Sequence, residues 1–163
     1  MRDGALVIGY GNPLRGDDGL GPETAKHLAA SSLDESVEIL ALHQLAPELS
    51  ELISKVGLVV FIDSSHIGQP GSWACEVIEP DARSLPALAH HLTPKSLLTY
   101  TQAIFKASPR ALLVSVAGES FDCRQELTPT VAHVLPAVEQ FVREQVTLFT
   151  QSRNTLAAAR ATT

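Results

Sequence analysis

The sequence predicts an α/β fold, a three-layer αβα sandwich with a mostly parallel, twisted sheet of about five strands and helices on both faces. Three observations lead there. Apolar runs with β-branched residues, at 6–8 (LVI), 37–42 (VEILAL), 58–62 (LVVFI) and 112–116 (LLVSV), alternate with segments of helical periodicity. The connections between them are short, as in units that cross from one parallel strand to the next. Leu-Ala-Pro or Leu-Thr-Pro openings recur at Leu45, Leu92 and Leu127, each a helix start with Pro near the first turn.

The first strand, 6–8, is apolar throughout, as suits burial on both faces of a sheet. Gly9 and Gly11 permit close backbone approach, and Asn12 and Pro13 turn the chain. Gly19 and Gly21 bracket Leu20 before Pro22, and a helix is expected over 23–30, stopped by Ser31, Ser32 and Asp34. Strand 37–42 is followed by a short helix over 48–54, with Leu49, Leu52 and Ile53 at i, i+3 and i+4. Strand 58–62 is the strongest buried-strand signal and ends at Asp63. Gln69, Pro70 and Gly71 turn the chain into 73–78, read as an antiparallel strand near an edge. Thr93 caps a helix over 94–106 with Pro94 at its first position and Leu97, Leu98, Thr101, Ile104 and Phe105 as its apolar stripe. After strand 112–116, Thr128 and Pro129 open a helix to about Gln151, bent by Pro136, with Val131, Val134, Leu135, Val138, Val142 and Val146 inward. Residues 1–151 then form a single domain and 152–163 a small, polar tail with helical propensity but little to pack against.

At 163 residues and 45% hydrophobic content, one domain can bury about two-thirds of its unfolded surface without disulfides or structural metals. Net charge is −6 and no basic stripe runs along any element, which argues against nucleic acid and against an anionic membrane. No run approaches a membrane span, and the apolar part of the N-terminus is too short for a signal peptide, so a cytoplasmic protein is expected. Cys75 and Cys123 have neither zinc-site spacing nor the density of a disulfide framework, and Cys75 reads as a small buried residue.

The chemistry concentrates where the first strand gives way to a glycine-rich loop carrying Asp17 and Asp18, beyond a strand's carboxyl end, where open α/β sheets bind ligands. One reading is a dinucleotide loop, but the third glycine of GxGxxG is absent and paired acids repel a pyrophosphate. Another is a cation or polar-substrate site built from hard carboxylate oxygens. A third is structural, with Asp17 capping the coming helix and Asp18 solvated. Parallel strands bring Asp63 to the same rim, and His90 and His91, before Thr93 and Pro94, could add an imidazole or could be capping or solvated residues. His43 ends the second strand on that rim; His27, His66 and His133 are given no role.

Four blocks, GYGNPLRGDDGLG at 9–21, HQLAPEL at 43–49, VVFIDSS at 59–65 and HHLTPKSLL at 90–98, resemble in order those of the hydrogenase maturation proteases. The resemblance runs from Leu6 to about Leu148. It implies an endopeptidase that trims the C-terminal extension of a nickel–iron hydrogenase large-subunit precursor once nickel has been inserted. Carried over, the metal-facing residues are Asp18, Asp63 and His90, with Asp17 and His91 as alternatives and Gly9, Gly11, Asn12 and Gly19 as loop scaffold. Several relatives have glutamate at the loop position, so Asp18 reaches less far. The implied metal is nickel supplied by the substrate, for which other divalent cations could substitute in vitro. The sequence has no GxSxG elbow and no cysteine beside a histidine motif, so a metal-dependent or aspartic-type peptidase without a covalent nucleophile is expected. The alternatives are a non-cleaving binding protein or chaperone of hydrogenase assembly and a small nucleotide-binding α/β domain.

Overall fold

A computed structural model describes residues 4–84 and 92–161. Among them five strands form one sheet: β1 (Ala5–Tyr10), β2 (Val37–Leu42), β3 (Leu58–Ser65), β4 (Trp73–Ile78) and β5 (Arg110–Ala117). The order is β2-β1-β3-β5-β4. β4 runs antiparallel at one edge and the other pairings are parallel, as the sequence predicts. Among the described residues the α-helices are α1 (Leu20–Ala29), α2 (Leu49–Ile53), α3 (Pro94–Phe105) and α4 (Pro129–Ala161).

Strand alternation divides the core into two layers. Ala5, Val7, Val60, Ile62, Val114 and Val116 face Leu20 and Leu28 of α1 and Val131, Leu135, Val138, Val142 and Val146 of α4. Leu6, Ile8, Val59 and Phe61 face Leu49 and Ile53 of α2 and Leu97 and Leu98 of α3. Each fully buried Leu, Ile or Phe contributes about 1.5–3 kcal/mol. The helix joining β1 to β2 and the helix joining β2 to β3 thus lie on opposite faces, and the strand order reverses between β1 and β3. That switch point opens a crevice at the carboxyl ends of the two strands.

The structure moves several expected boundaries. β1 includes Gly9 and Tyr10 because α1 crosses it closely: a Cβ on Gly9 would lie 2.0 Å from the Gly21 carbonyl oxygen. α1 begins at Leu20, since a 3-10 turn over Gly16–Gly19 leads straight into it. β3 runs three residues past Ile62, because Asp63, Ser64 and Ser65 pair with Ser115, Val116 and Ala117. Asp63 is therefore a strand residue, on the α2/α3 side with Val59 and Phe61. At α3 the Thr93 cap is as expected: Ser96 N–H donates to Thr93 Oγ1 at 3.1 Å and Thr93 N–H to Ser96 Oγ at 2.9 Å. Ile104 and Phe105, in its last turn, are exposed rather than part of the buried stripe. α4 continues through the expected tail to Ala161, its Ala-rich end carrying no Gly or Pro to stop it.

Candidate active site

The loop after β1 is shaped by one glycine above all. Gly11 has φ +145°, and a Cβ there would lie 2.0 Å from the Asp18 carbonyl oxygen. The chain then folds back on itself: Arg15 N–H donates to Asn12 O at 3.0 Å, Leu14 N–H to Asn12 Oδ1 at 2.9 Å, and Asp18 N–H to Arg15 O at 3.2 Å. Gly19 closes the turn against Pro13, its Cβ position 3.1 Å from Pro13 Cα. The result carries Asp18 back over Gly11 and Asn12.

Asp18 is held by both oxygens, Oδ2 accepting from Asn12 N–H at 2.8 Å and Oδ1 from Ser64 Oγ at 3.2 Å. The loop therefore cradles its own carboxylate, and the Asn12 N–H that a bound phosphate would use is taken. Ser64 ties this acid to the strand residue beside Asp63. Asp63 Oδ2 accepts from the Tyr10 hydroxyl at 2.8 Å. Burial drives the Asp63 pKa up and the neighbouring Asp18 charge adds to the rise; the hydrogen bonds from Tyr10 and the Ser64 backbone, and His66 nearby, restrain it. The balance leaves it raised to about 6. Burial, together with the Asp63 charge, pushes the Tyr10 phenol far above its ordinary value, so it stays a donor.

The paired acids part company. Asp17 is fully buried, and four donors occupy its carboxylate: Glu119 N–H at 2.8 Å and Ser120 N–H at 3.0 Å on Oδ2, Thr128 N–H at 2.7 Å on Oδ1, and the Thr128 hydroxyl. It caps no coming helix; it anchors the start of α4 and the 118–127 segment that runs along the loop. Asp17 is thus enclosed, whereas Asp18, with a single donor on each oxygen, is only half-buried.

His90 and His91 lie outside the described residues, so the imidazole expected from them does too. Leu92 and the Thr93 cap place the segment that follows them at the start of α3, on the side of the sheet that carries Asp63. Among the described residues no three His, Cys, Asp or Glu side chains are gathered as a metal-holding group. Two carboxylates, each oriented by a protein donor, suit a divalent metal or a polarised water. His43 is exposed just past β2. His66, beyond the end of β3, stacks on Phe121 with ring centres 3.7 Å apart. His27 bonds Glu139 across the α1–α4 seam at 2.5 Å, and His133 is exposed on α4. Cys75 is a half-buried β4 residue and Cys123 is exposed in the 118–127 segment.

Sequence reasoning missed Tyr10, Ser64 and Thr128. Tyr10 was readable: it alternates with Leu6 and Ile8 and so shares their face with Asp63. Ser64 could be found only once β3 was extended. The contact of Asp17 with Thr128 spans 111 residues and has no local signal.

Solved structures with this architecture agree over most of their length. The Escherichia coli hydrogenase maturating endopeptidase HybD is 24% identical, over 87% of this chain and 90% of that one, with a TM-score of 0.71. The fold is that of the hydrogenase maturation peptidases. The hydrogenase 2 maturation peptidase of Thaumarchaeota archaeon SCGC_AB-539-E09 matches at 25% identity, over 89% and 99% of the two chains, with a TM-score of 0.69. The [NiFe] hydrogenase maturation protease HycI of Thermococcus kodakarensis KOD1 matches at 21%, over 90% and 94%, also at 0.69. No family model matches the sequence, and no curated protein does. In this maturation-peptidase fold the crevice between β1 and β3 is where Asp18 and Asp63 stand. No described helix is long and apolar enough to cross a membrane.

Proposed function

We propose that this chain is an endopeptidase that removes the C-terminal extension of a nickel–iron hydrogenase large-subunit precursor after nickel has been inserted. The observation that carries the reading is the pairing of Asp18 with Asp63 at the switch point of a maturation-peptidase fold, one acid from the loop and one from the strand end. On this reading the substrate brings the nickel, and the two carboxylates, with His90 as the nitrogen donor, recognise it. An empty precursor then lacks the feature that seats the cleavage site. The precursor's metal positions the scissile peptide and polarises its carbonyl.

What the chain itself supplies is a base. Asp63, raised by burial to about 6 in the free protein, is ionised at neutral pH and can take a proton from an attacking water. Asp18, fixed by Asn12 and Ser64, holds negative charge beside it. The water attacks the carbonyl carbon, the proton passes to Asp63 and then to the leaving amine, and no acyl-enzyme forms. Cytoplasmic action belongs to the same reading.

The test is cleavage of the nickel-loaded precursor by Asp18→Ala, Asp63→Ala and His90→Ala variants. Loss of processing with an intact fold supports the assignment, and full processing by any one variant removes that residue from it. A stable complex without cleavage by the unaltered protein would instead make it a binding protein of hydrogenase assembly.

A further inference from the structure

Asp63 has two equivalent oxygens and a freely turning terminal bond, so nothing in the residue itself decides which oxygen meets the crevice. Tyr10 decides it. Its backbone is fixed in β1, paired to Leu42 and pressed against α1, where a Cβ on Gly21 would lie 2.5 Å from the Tyr10 and Ile62 carbonyl oxygens. Its ring packs on the core under α2 and α3. With both ends of the side chain fixed, its hydroxyl donates to Asp63 Oδ2 at 2.8 Å. An ionised carboxylate with one oxygen committed to a strong donor offers the other end-on.

We propose that Tyr10 is a positioning residue that holds Asp63 by Oδ2, so that Oδ1 and the Asp18 carboxylate form one oriented pair of oxygens facing the metal of the precursor. The proposal rests on the peptidase reading above. Asp18 has its own orienting donors in Asn12 N–H and Ser64 Oγ, while Asp63 takes the Ser64 backbone N–H and the Tyr10 hydroxyl, of which the hydroxyl is the side-chain donor that sets the strand-end acid relative to Asp18.

Tyr10→Phe keeps the ring and removes the donor. Two measurements are made on it. In cleavage of nickel-loaded precursor, kcat falls about tenfold or more while KM stays within about twofold, the loss typical when a group orienting a metal ligand is removed. In a titration with nickel chloride alone, followed by carboxyl 13C NMR of Asp-labelled protein, broadening of the Asp63 signal needs about tenfold more nickel than in the unaltered protein. Circular dichroism and thermal unfolding of the variant report that the fold is intact. A variant with unchanged kcat, or whose activity loss matches its loss of folded protein, overturns the proposal. So does an identical nickel titration, the absence of broadening in both proteins included. Failure of the unaltered protein to cleave counts against the peptidase reading, and the nickel titration then decides the role of Tyr10 by itself.

Discussion

Asp17 holds the amino end of α4 from 111 residues away: Thr128, just before the helix, donates its N–H to Asp17 Oδ1 at 2.7 Å. The Thr128 hydroxyl and two N–H groups from 119 and 120 complete the grip. One buried acid thereby ties the loop that carries Asp18 to α4 and to the 118–127 segment.

Replacing Asp17 by Ala strands these buried donors and should destabilise the protein by about 3–5 kcal/mol. Burial alone would raise the Asp17 pKa, but hydrogen bonds from the Ser120, Thr128 and Glu119 backbone and the Thr128 hydroxyl more than offset it, and the net shift is downward. With a folded value below the unfolded value of about 3.9, its stabilisation is full above that value and is lost as pH falls through the folded pKa. Denaturant unfolding of Asp17→Asn and the parent protein should therefore differ at pH 7 and converge in strong acid.

Asp63 acts in the opposite sense. Its folded pKa of about 6 lies above the unfolded value, so folding favours the protonated form and stability falls as pH rises from about 4 to 6. Asp63→Asn should therefore raise stability by about 2 kcal/mol at pH 7.5 and by little at pH 4, in denaturant unfolding at the two pH values. The same substitution should abolish cleavage, and in the unaltered protein the cleavage rate should decline below about pH 6 as the base is protonated. A gain in stability joined to a loss of activity marks a carboxylate kept for function.

The layers, the mostly parallel sheet and the antiparallel edge were legible because apolar period and turn residues are local signals. So was the approach of Asp18 and Asp63, which follows from parallel strands alone. The different fates of Asp17 and Asp18 were not legible. Adjacent acids look alike in a sequence, and what separates them is Thr128 on one side and Asn12 and Ser64 on the other. The end of β3 was misjudged for a related reason: Asp63, Ser64 and Ser65 are poor strand formers, held extended by their partners Ser115, Val116 and Ala117.

Gly11→Ala should disable the site without touching either acid. At φ +145°, with the Asp18 carbonyl oxygen 2.0 Å from the new Cβ, the loop must open to admit a methyl group. Thermal unfolding should show a cost of about 2–4 kcal/mol, and cleavage should fall more than the loss of folded protein explains.

Truncation after Gln151 should be nearly silent. Thr150 is buried, whereas Leu156 is 53% exposed and its helical neighbours lie outside the core. Calorimetric unfolding should register less than about 1 kcal/mol, with cleavage unchanged.

The most direct measurement is the intact mass of a nickel–iron hydrogenase large-subunit precursor, nickel-loaded or nickel-free, after incubation with this protein. The account predicts release of a C-terminal peptide from the loaded precursor alone, and none when Asp18 or Asp63 is replaced by Ala. An unchanged mass for the loaded precursor, or equal cleavage of both forms, would contradict it.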